Sequence, residues 1–437
     1  MTRKLNARPN DRTCHAALRR RGSVYVAVLG VTMIAAMCAL LGMRIARQQL
    51  KATGQHKDHE RAKILAHSAA EQAVAIMNNH SWDVGDWRAN FTSGVETPPI
   101  TFGGGEMSFK LIDEDGELAD DPSDPVWIHG IGRVGDAVYV ARARARIDAG
   151  LPLEFLRAAV HCGRTLSVKT GVSLAVTGAA ASTDAEVINE GTIDGSVEAV
   201  SLSGSGTVTG TATVPAERKG MPWVNTFSDY VARATQLPYN GDIDTVVMAP
   251  GVNEYGGGLN ADGVYYIDTG GNDIDVRNSR IHGTLLIDAG PNNEVVIEDQ
   301  CLIHPYRDDF PSLIIRANNV ELELKTKDGV RLLRESPNHH NFNPPGAPYQ
   351  GHSDSDTVDQ YPSGIRGLAH LIADVTIEER ILVRGCVVVE GDLEVQKKGE
   401  FIHDPHLMLN PPRGYTDRPD STDMIIEARS WARHPAH

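Results

Sequence analysis

Three patterns of apolar and polar positions follow one another along the chain, each predicting a different element. The first is "SVYVAVLGVTMIAAMCALLGM", Ser23 to Met43, 21 residues without a charge. At 1.5 Å per residue it would cover the ~30 Å of a bilayer's hydrocarbon, which predicts a spanning helix. A secretory leader has an apolar stretch of about 7 to 15 residues and a small-x-small cleavage site after it. Ala36-Met37-Cys38 is a poor site of that kind, and bulky Met37 before Cys38 is unlike a lipoprotein leader.

A helical period resumes after the span. Leu65, Ala69, Ala73 and Met77 recur every four residues, with Ile64 and Ile76 beside them, and draw an apolar stripe. Gly54 and the polar run "GQHKDHE" interrupt the pattern, so a bend or break is expected there, and Asn78 and Asn79 close the helix. From Ile100 to Ile147 the period falls to two. "EMSFKLID" alternates, "DEDGEL" turns, and "VWIHGIGRVGDAVYVARARARI" reads as two strands joined through Gly132 to Gly135. This predicts a small antiparallel sheet.

From about Leu166 short apolar triplets recur between Gly, Asn and Asp: "GVYYID", "DIDVRN", "GTLLID", "EVVIED", "SLIIRA". Starts at Gly263, Asp273, Gly283 and Glu294 are about ten residues apart. Such repetition predicts a right-handed parallel β-helix-like solenoid, whose turns bury one another's inner faces. An antiparallel β-sandwich has similar spacing and is the alternative; few paired Asn-Gly or Asp-Gly hairpin turns favour the solenoid. "MPWVNTFSDYVARATQ", 221–236, reads as a helical insert, and 325–365, rich in Pro, Asn, His, Asp and Ser, as a polar loop excursion. The expected organisation is a basic leader at 1–22, the span and extended helix at 23–80, a small β subdomain at 81–160 and the β-solenoid-like domain at 161–437. The fold class is mainly β with one long N-terminal α-helix.

Charge orients this plan. Arg3, Lys4, Arg8, Arg12, Arg19, Arg20 and Arg21 precede the span against one acid, Asp11, so the N-terminus stays cytoplasmic and the bulk is exported, in a single-pass inner-membrane topology. The formal net charge is -15 despite that basic leader, so the exported part is more acidic still and a poor partner for nucleic acid. Five cysteines are too few for a disulfide framework; Cys301 and Cys386, in "QCLI" and "GCVVV", read as buried thiols.

The junction Arg20-Arg21-Gly22-Ser23, with glycine directly between the basic segment and the apolar helix, resembles the N-terminus of type IV pilin-like proteins, especially PilX-type minor pilins and pseudopilins. "ILAHSAAEQAVAIM" is similar to the second half of a PilX-type helix, and "LPLEFLRAAVHCGRTLSV" to the connector leading into a variable exported domain. The resemblance covers about the first 160 residues. It implies cleavage by a prepilin peptidase between Gly22 and Ser23, and assembly with other pilin-like subunits through the N-terminal helix once that helix leaves the membrane lipid. The sequence departs from major pilins at the fifth mature position, where Ala27 replaces the usual glutamate, which suits a minor subunit. A plain uncleaved anchor is the alternative.

Candidate chemistry is sparse. "DSDTVD" has the alternate oxygens of a calcium loop at Asp354, Asp356 and Asp359, beside His339, His340 and His352, but lacks the turn glycine and closing glutamate. Asp308 and Asp309, with His304 and Arg307 in "HPYRDDFP", are the nearest thing to the paired carboxylates of a glycan-cleaving β-helix enzyme. The polygalacturonase signatures Asn-Thr-Asp, Gly-His-Gly and Arg-Ile-Lys are absent. "GSGTVTG" lacks the Lys-Ser/Thr of a phosphate loop, and the Ser/Thr-rich stretch around it has no His or acid pattern marking a nucleophile. No cofactor is expected. The reading is a non-enzymatic minor pilin or pseudopilin-like subunit of a type IV pilus or type II secretion-like assembly. An anchored surface module for adhesion, with a surface polysaccharide as partner, and a β-helix glycan lyase or hydrolase are the alternatives.

Overall fold

The computed structural model describes residues 14–78, 87–119, 124–148, 150–324, 332–418, 421 and 423–434, with side chains from Val24 onward. The chain is mainly β with a long N-terminal helix that is a candidate membrane span, and it divides into two units, 1–148 with 422–437, and 149–421. The basic leader 1–22 lies outside the described residues except for backbone from Cys14. So do Asn79 and His80, the last residues of the extended helix as expected.

In the first unit α1 (Cys14–Met77) is one continuous helix. The break expected at Gly54 is absent. The flanking Gln, Lys, Glu and Arg are good helix formers, and one interior glycine weakens a helix by only about 1 kcal/mol. The sheet runs β1 (Ile100–Phe102), β2 (Gly105–Ile112), β3 (Val126–Val134) and β4 (Ala137–Ile147), all antiparallel, with the turn between β3 and β4 at Gly135-Asp136. Helix and sheet meet through small residues. Ala62, Leu65, Ala66, Ala69, Ala70, Ala73 and Met77 are buried, a stripe at spacings of three and four. Ile64, expected on the stripe, is instead exposed. Opposite lie Gly130 and Gly132 of β3. A Cβ on Gly130 would overlap the Ala66 carbonyl and sit 2.9 Å from the Ala70 nitrogen, and one on Gly132 would overlap the Ala62 carbonyl and sit 2.7 Å from the Ala66 nitrogen. Backbone therefore packs on backbone here.

The expected 161–437 boundary is corrected at its end. Met424–Ile426 and Ala432–His434 add antiparallel to β4, inside the first unit. Asn78 fastens the return: its Nδ2 donates to the Met424 carbonyl (2.8 Å) and its Oδ1 accepts the Met424 N–H (2.6 Å). An asparagine that read as a helix stop also acts as a strand partner.

The second unit holds a 22-stranded sheet whose neighbours are almost all parallel. Val264–Asp268 pairs with Thr284–Glu298, then come Leu313–Glu323, Gly364–Ile377 and Ile381–Val389. The next neighbour is not the next in sequence. Ile381–Val389 pairs with Ala158–Cys162, followed by Ser173–Thr183 and Thr192–Glu198. The first-made strands thus stack on the last. Within the ladder a triplet pairs with the second one after it, Val264 with Thr284 and Ile274 with Val295, so the ten-residue spacing is half of the stacking repeat. In-register aliphatics form the core: Ile267, Ile287, Ile315, Leu371 and Val389 occupy one line, each fully buried. Antiparallel pairing is confined, among the described residues of this unit, to Val247–Ala249 with Val252–Asn253, Leu332–Arg334 with Gln360–Pro362, and two isolated bridges.

Two expectations are revised here. The helical insert is shorter than 221–236: α2 is Thr226–Arg233, and Trp223 lies outside it, its indole N–H donating to the Thr416 carbonyl at 2.8 Å. The polar excursion has a buried side as well as an exposed one. Its described part, from Leu332, buries Leu333, Phe342, Ala347 and Tyr361 in one cluster with Val247, Ala249 and Leu302 of the sheet. Fully buried Arg280 donates to the carbonyls of Phe342 (2.7 Å), Ala347 (2.7 Å) and Pro348 (2.9 Å), pinning it to the sheet. Residues 325–331 of the excursion lie outside the described residues. Cys162, Cys301 and Cys386 are buried free thiols.

Candidate functional site

From Val24 to Lys57 every residue of α1 is exposed, and only from Asp58 does one face become covered. Val24, Tyr25, Val26, Leu29, Ile34 and Leu40 are each at least 60% exposed, so the unit gives this segment no apolar partner. Moving one such side chain from water into an apolar phase yields about 1.5 to 3 kcal/mol. A run of them requires lipid or other helices. The small residues Gly30, Ala35, Ala36 and Gly42 lie on the same exposed stretch, where they permit close helix approach. Gly22 and Ser23 lie within the backbone of α1.

The second unit decides what the polar candidates can do. Asp309 is held by two guanidiniums, Arg307 Nε at 3.0 Å and Arg413 Nε at 2.7 Å, while Arg307 also reaches Asp262 at 2.8 Å. Burial pushes the Asp309 pKa up, but the hydrogen bonds and charges of Arg307 and Arg413 outweigh it and hold the carboxyl below its usual range. An ionised, doubly paired carboxylate is no general acid. His304 stacks on His282 with ring centroids 4.2 Å apart, and burial pushes its pKa down to about 2. Neither ring pairs with Asp308 or Asp309.

Of the calcium-loop residues, Asp354 and Asp359 meet and Asp356 does not join them as a third oxygen donor. Asn343 Nδ2 bridges Asp354 and Asp359 at 3.4 Å each, whereas exposed Asp356 accepts the Val358 N–H. Buried Glu335 organises the place, accepting the Phe342 N–H (2.7 Å), the Asp359 N–H (2.9 Å) and the Tyr361 hydroxyl (2.8 Å). The grouped carboxylates lie elsewhere: Glu321, Glu323 and Glu378 bring oxygens within 4.8 Å of one another. Burial and the neighbouring Glu294 raise the Glu321 pKa to about 7. The alternation in "VELEL" puts Glu321 and Glu323 on one face, a signal that sequence reasoning passed over.

One Ser/His/Asp arrangement was also missed. His161 Nδ1 lies 2.8 Å from Ser182 Oγ, and its Nε2 3.8 Å from Asp184 Oδ1. Register makes the encounter, since His161 pairs with Ser182 across adjacent parallel strands. His161 and Ser182 are both buried, Asp184 is engaged by the Lys219 and Gly220 N–H groups, and burial lowers the His161 pKa to about 4. The hydroxyl is enclosed and does not face a substrate. The triple ties strands together.

No known family profile and no curated protein sequence matches the chain. Among solved structures it is similar to the competence-associated pilin ComZ from Thermus thermophilus, at 10% identity and a TM-score of 0.25, covering 87% of this chain and 98% of that one. It is also similar to the DUF3494 domain of Shewanella frigidimarina ice-binding protein_1, at 9% identity and a TM-score of 0.26, covering 58% and 97%.

Proposed function

We propose that the chain is a non-enzymatic, minor-pilin-like structural subunit. Its α1 is cut after Gly22, leaves the membrane and joins a helical bundle with other pilin-like subunits, while a β-solenoid-like module stands outside. The observation that carries this reading is the division of α1. One part is wrapped on an antiparallel sheet through alanines and glycines, and another, Val24 to Met43, is apolar, uncharged and exposed over about a membrane's thickness. A helix that needed only an anchor would not have to be packed against the sheet over its second half. The parallel, in-register ladders of the second unit support a solenoid over a sandwich. In the anchored-surface-module reading α1 stays alone in lipid, and the acidic exterior meets its partner directly.

Cys38 separates the two. It is exposed within the apolar segment, whereas Cys162, Cys301 and Cys386 are buried, with burial raising the pKa of the first two to about 12. In a Cys14→Ser background, a short bis-maleimide applied to membranes should link chains through Cys38, and Cys38→Ala should abolish the product. Monomer alone at native expression would sink the assembly reading.

A further inference from the structure

The net charge of -15 makes an unpaired basic pair conspicuous, and the second unit has one. Arg366 and Arg384 are direct partners in the parallel ladder, on strands ~4.8 Å apart. Like charges placed directly across a ladder destabilise it. Neither guanidinium forms an ion pair or hydrogen bond among the described residues, although acids outnumber basic residues 57 to 42. The strand before places His304 next to Arg366, whose charge acts on it, and His282 stacks beyond. Burial keeps both rings neutral, so they add polar edge without charge.

Beside the pair lies a notch of about 260 Å³ lined by Pro362, Ser363, Gly364, Leu382, Arg366 and Arg384. Gly364 on its lining pairs with Leu302 on one side and stands at φ 145°, a conformation side chains avoid; a Cβ there would meet the Leu382 carbonyl at 2.6 Å, so glycine lets the two strands approach. Pro362 and Leu382 give it apolar walls, and Glu400, paired with Leu382, closes the row beyond. The volume is below the about 300 to 1,000 Å³ of drug-sized pockets, and suits one sugar ring.

We propose that this notch binds an acidic sugar residue of the uronate class, its ring on Pro362 and Leu382 and its carboxylate shared between Arg366 and Arg384. A planar carboxylate matches the guanidinium fork, and one anion between two cations removes the repulsion that the bare ladder carries. An inorganic anion would engage the arginines but leave both apolar walls uncovered. The site deepens the reading above only in needing the second unit to face the outside.

The test is calorimetric titration of the full chain in detergent with oligogalacturonate, with a neutral maltooligosaccharide and with inorganic phosphate. Oligogalacturonate should bind, at least about tenfold tighter than phosphate, and the neutral sugar should not. Arg366→Gln and Arg384→Gln should each weaken binding by about tenfold or more, as loss of a charge-assisted pair does. Without ligand, Arg384→Gln should melt no lower than the parent, because it relieves like-charge repulsion. No binding by the parent, equal binding by both variants, phosphate binding as tight as the oligomer, or a lower melting point for ligand-free Arg384→Gln would each overturn the assignment. Cys38 cross-linking is independent of both arginines. Its loss would refute assembly without touching the notch, and failure here would leave assembly standing.

Discussion

Gly130→Ala should loosen α1 from the first unit's sheet, lowering that unit's stability by about 2 to 3 kcal/mol. The sign is the informative part. Gly130 has no left-handed backbone, so alanine in a strand would ordinarily be neutral or stabilising by some tenths of a kcal/mol. Here the added Cβ would run into the Ala66 carbonyl and lie 2.9 Å from the Ala70 nitrogen, and backbone atoms of a buried helix have no rotamer to yield. Gly132→Ala should do the same one helical turn earlier, against Ala62. Differential hydrogen exchange is the measurement: β3 amides and those of α1 between Ala62 and Met77 should lose protection together, while the strands from Ala158 to Ile402 keep theirs. Unchanged protection would mean that helix and sheet are not in backbone contact.

The second large effect belongs to the exposed half. Ala36→Asp places a carboxylate at the centre of the span, at a cost of about 2.5 to 3.5 kcal/mol for insertion. The variant should be depleted from the membrane fraction and absent from any assembly. Ala36 is exposed within the unit, so the rest of the fold has no reason to respond. Normal membrane partitioning of Ala36→Asp would contradict a spanning role for Ser23 to Met43.

Much of the first unit is legible in the residues, because its signals are local. An uncharged run marks the exposed span; Leu65, Ala69, Ala73 and Met77 mark the covered face and are buried. Two-residue alternation marks β2, β3 and β4. Gly54 misleads because its neighbours sustain the helix and nothing packs near it. What local signals cannot carry is partnership at a distance. Triplets announce strands but not that Ile381–Val389 meets Ala158–Cys162, more than 200 residues away, nor that Met424–Ile426 returns to β4. His161, Ser182 and Asp184 meet by register, as do Arg366 and Arg384, and neither set has a motif. The Asp309 pair looked chemical in isolation; Arg413, distant in sequence, occupies it.

In the assembly reading the residues before Ser23 are a leader removed from an assembly helix. The N-terminal residue of the protein purified from its native membrane, determined by mass spectrometry, tests this most directly. A chain starting at Ser23 is the predicted result, with methylation of that amine a further mark of prepilin-type processing. A chain starting at Met1 would contradict it, and would make α1 a permanent anchor for an exposed surface module.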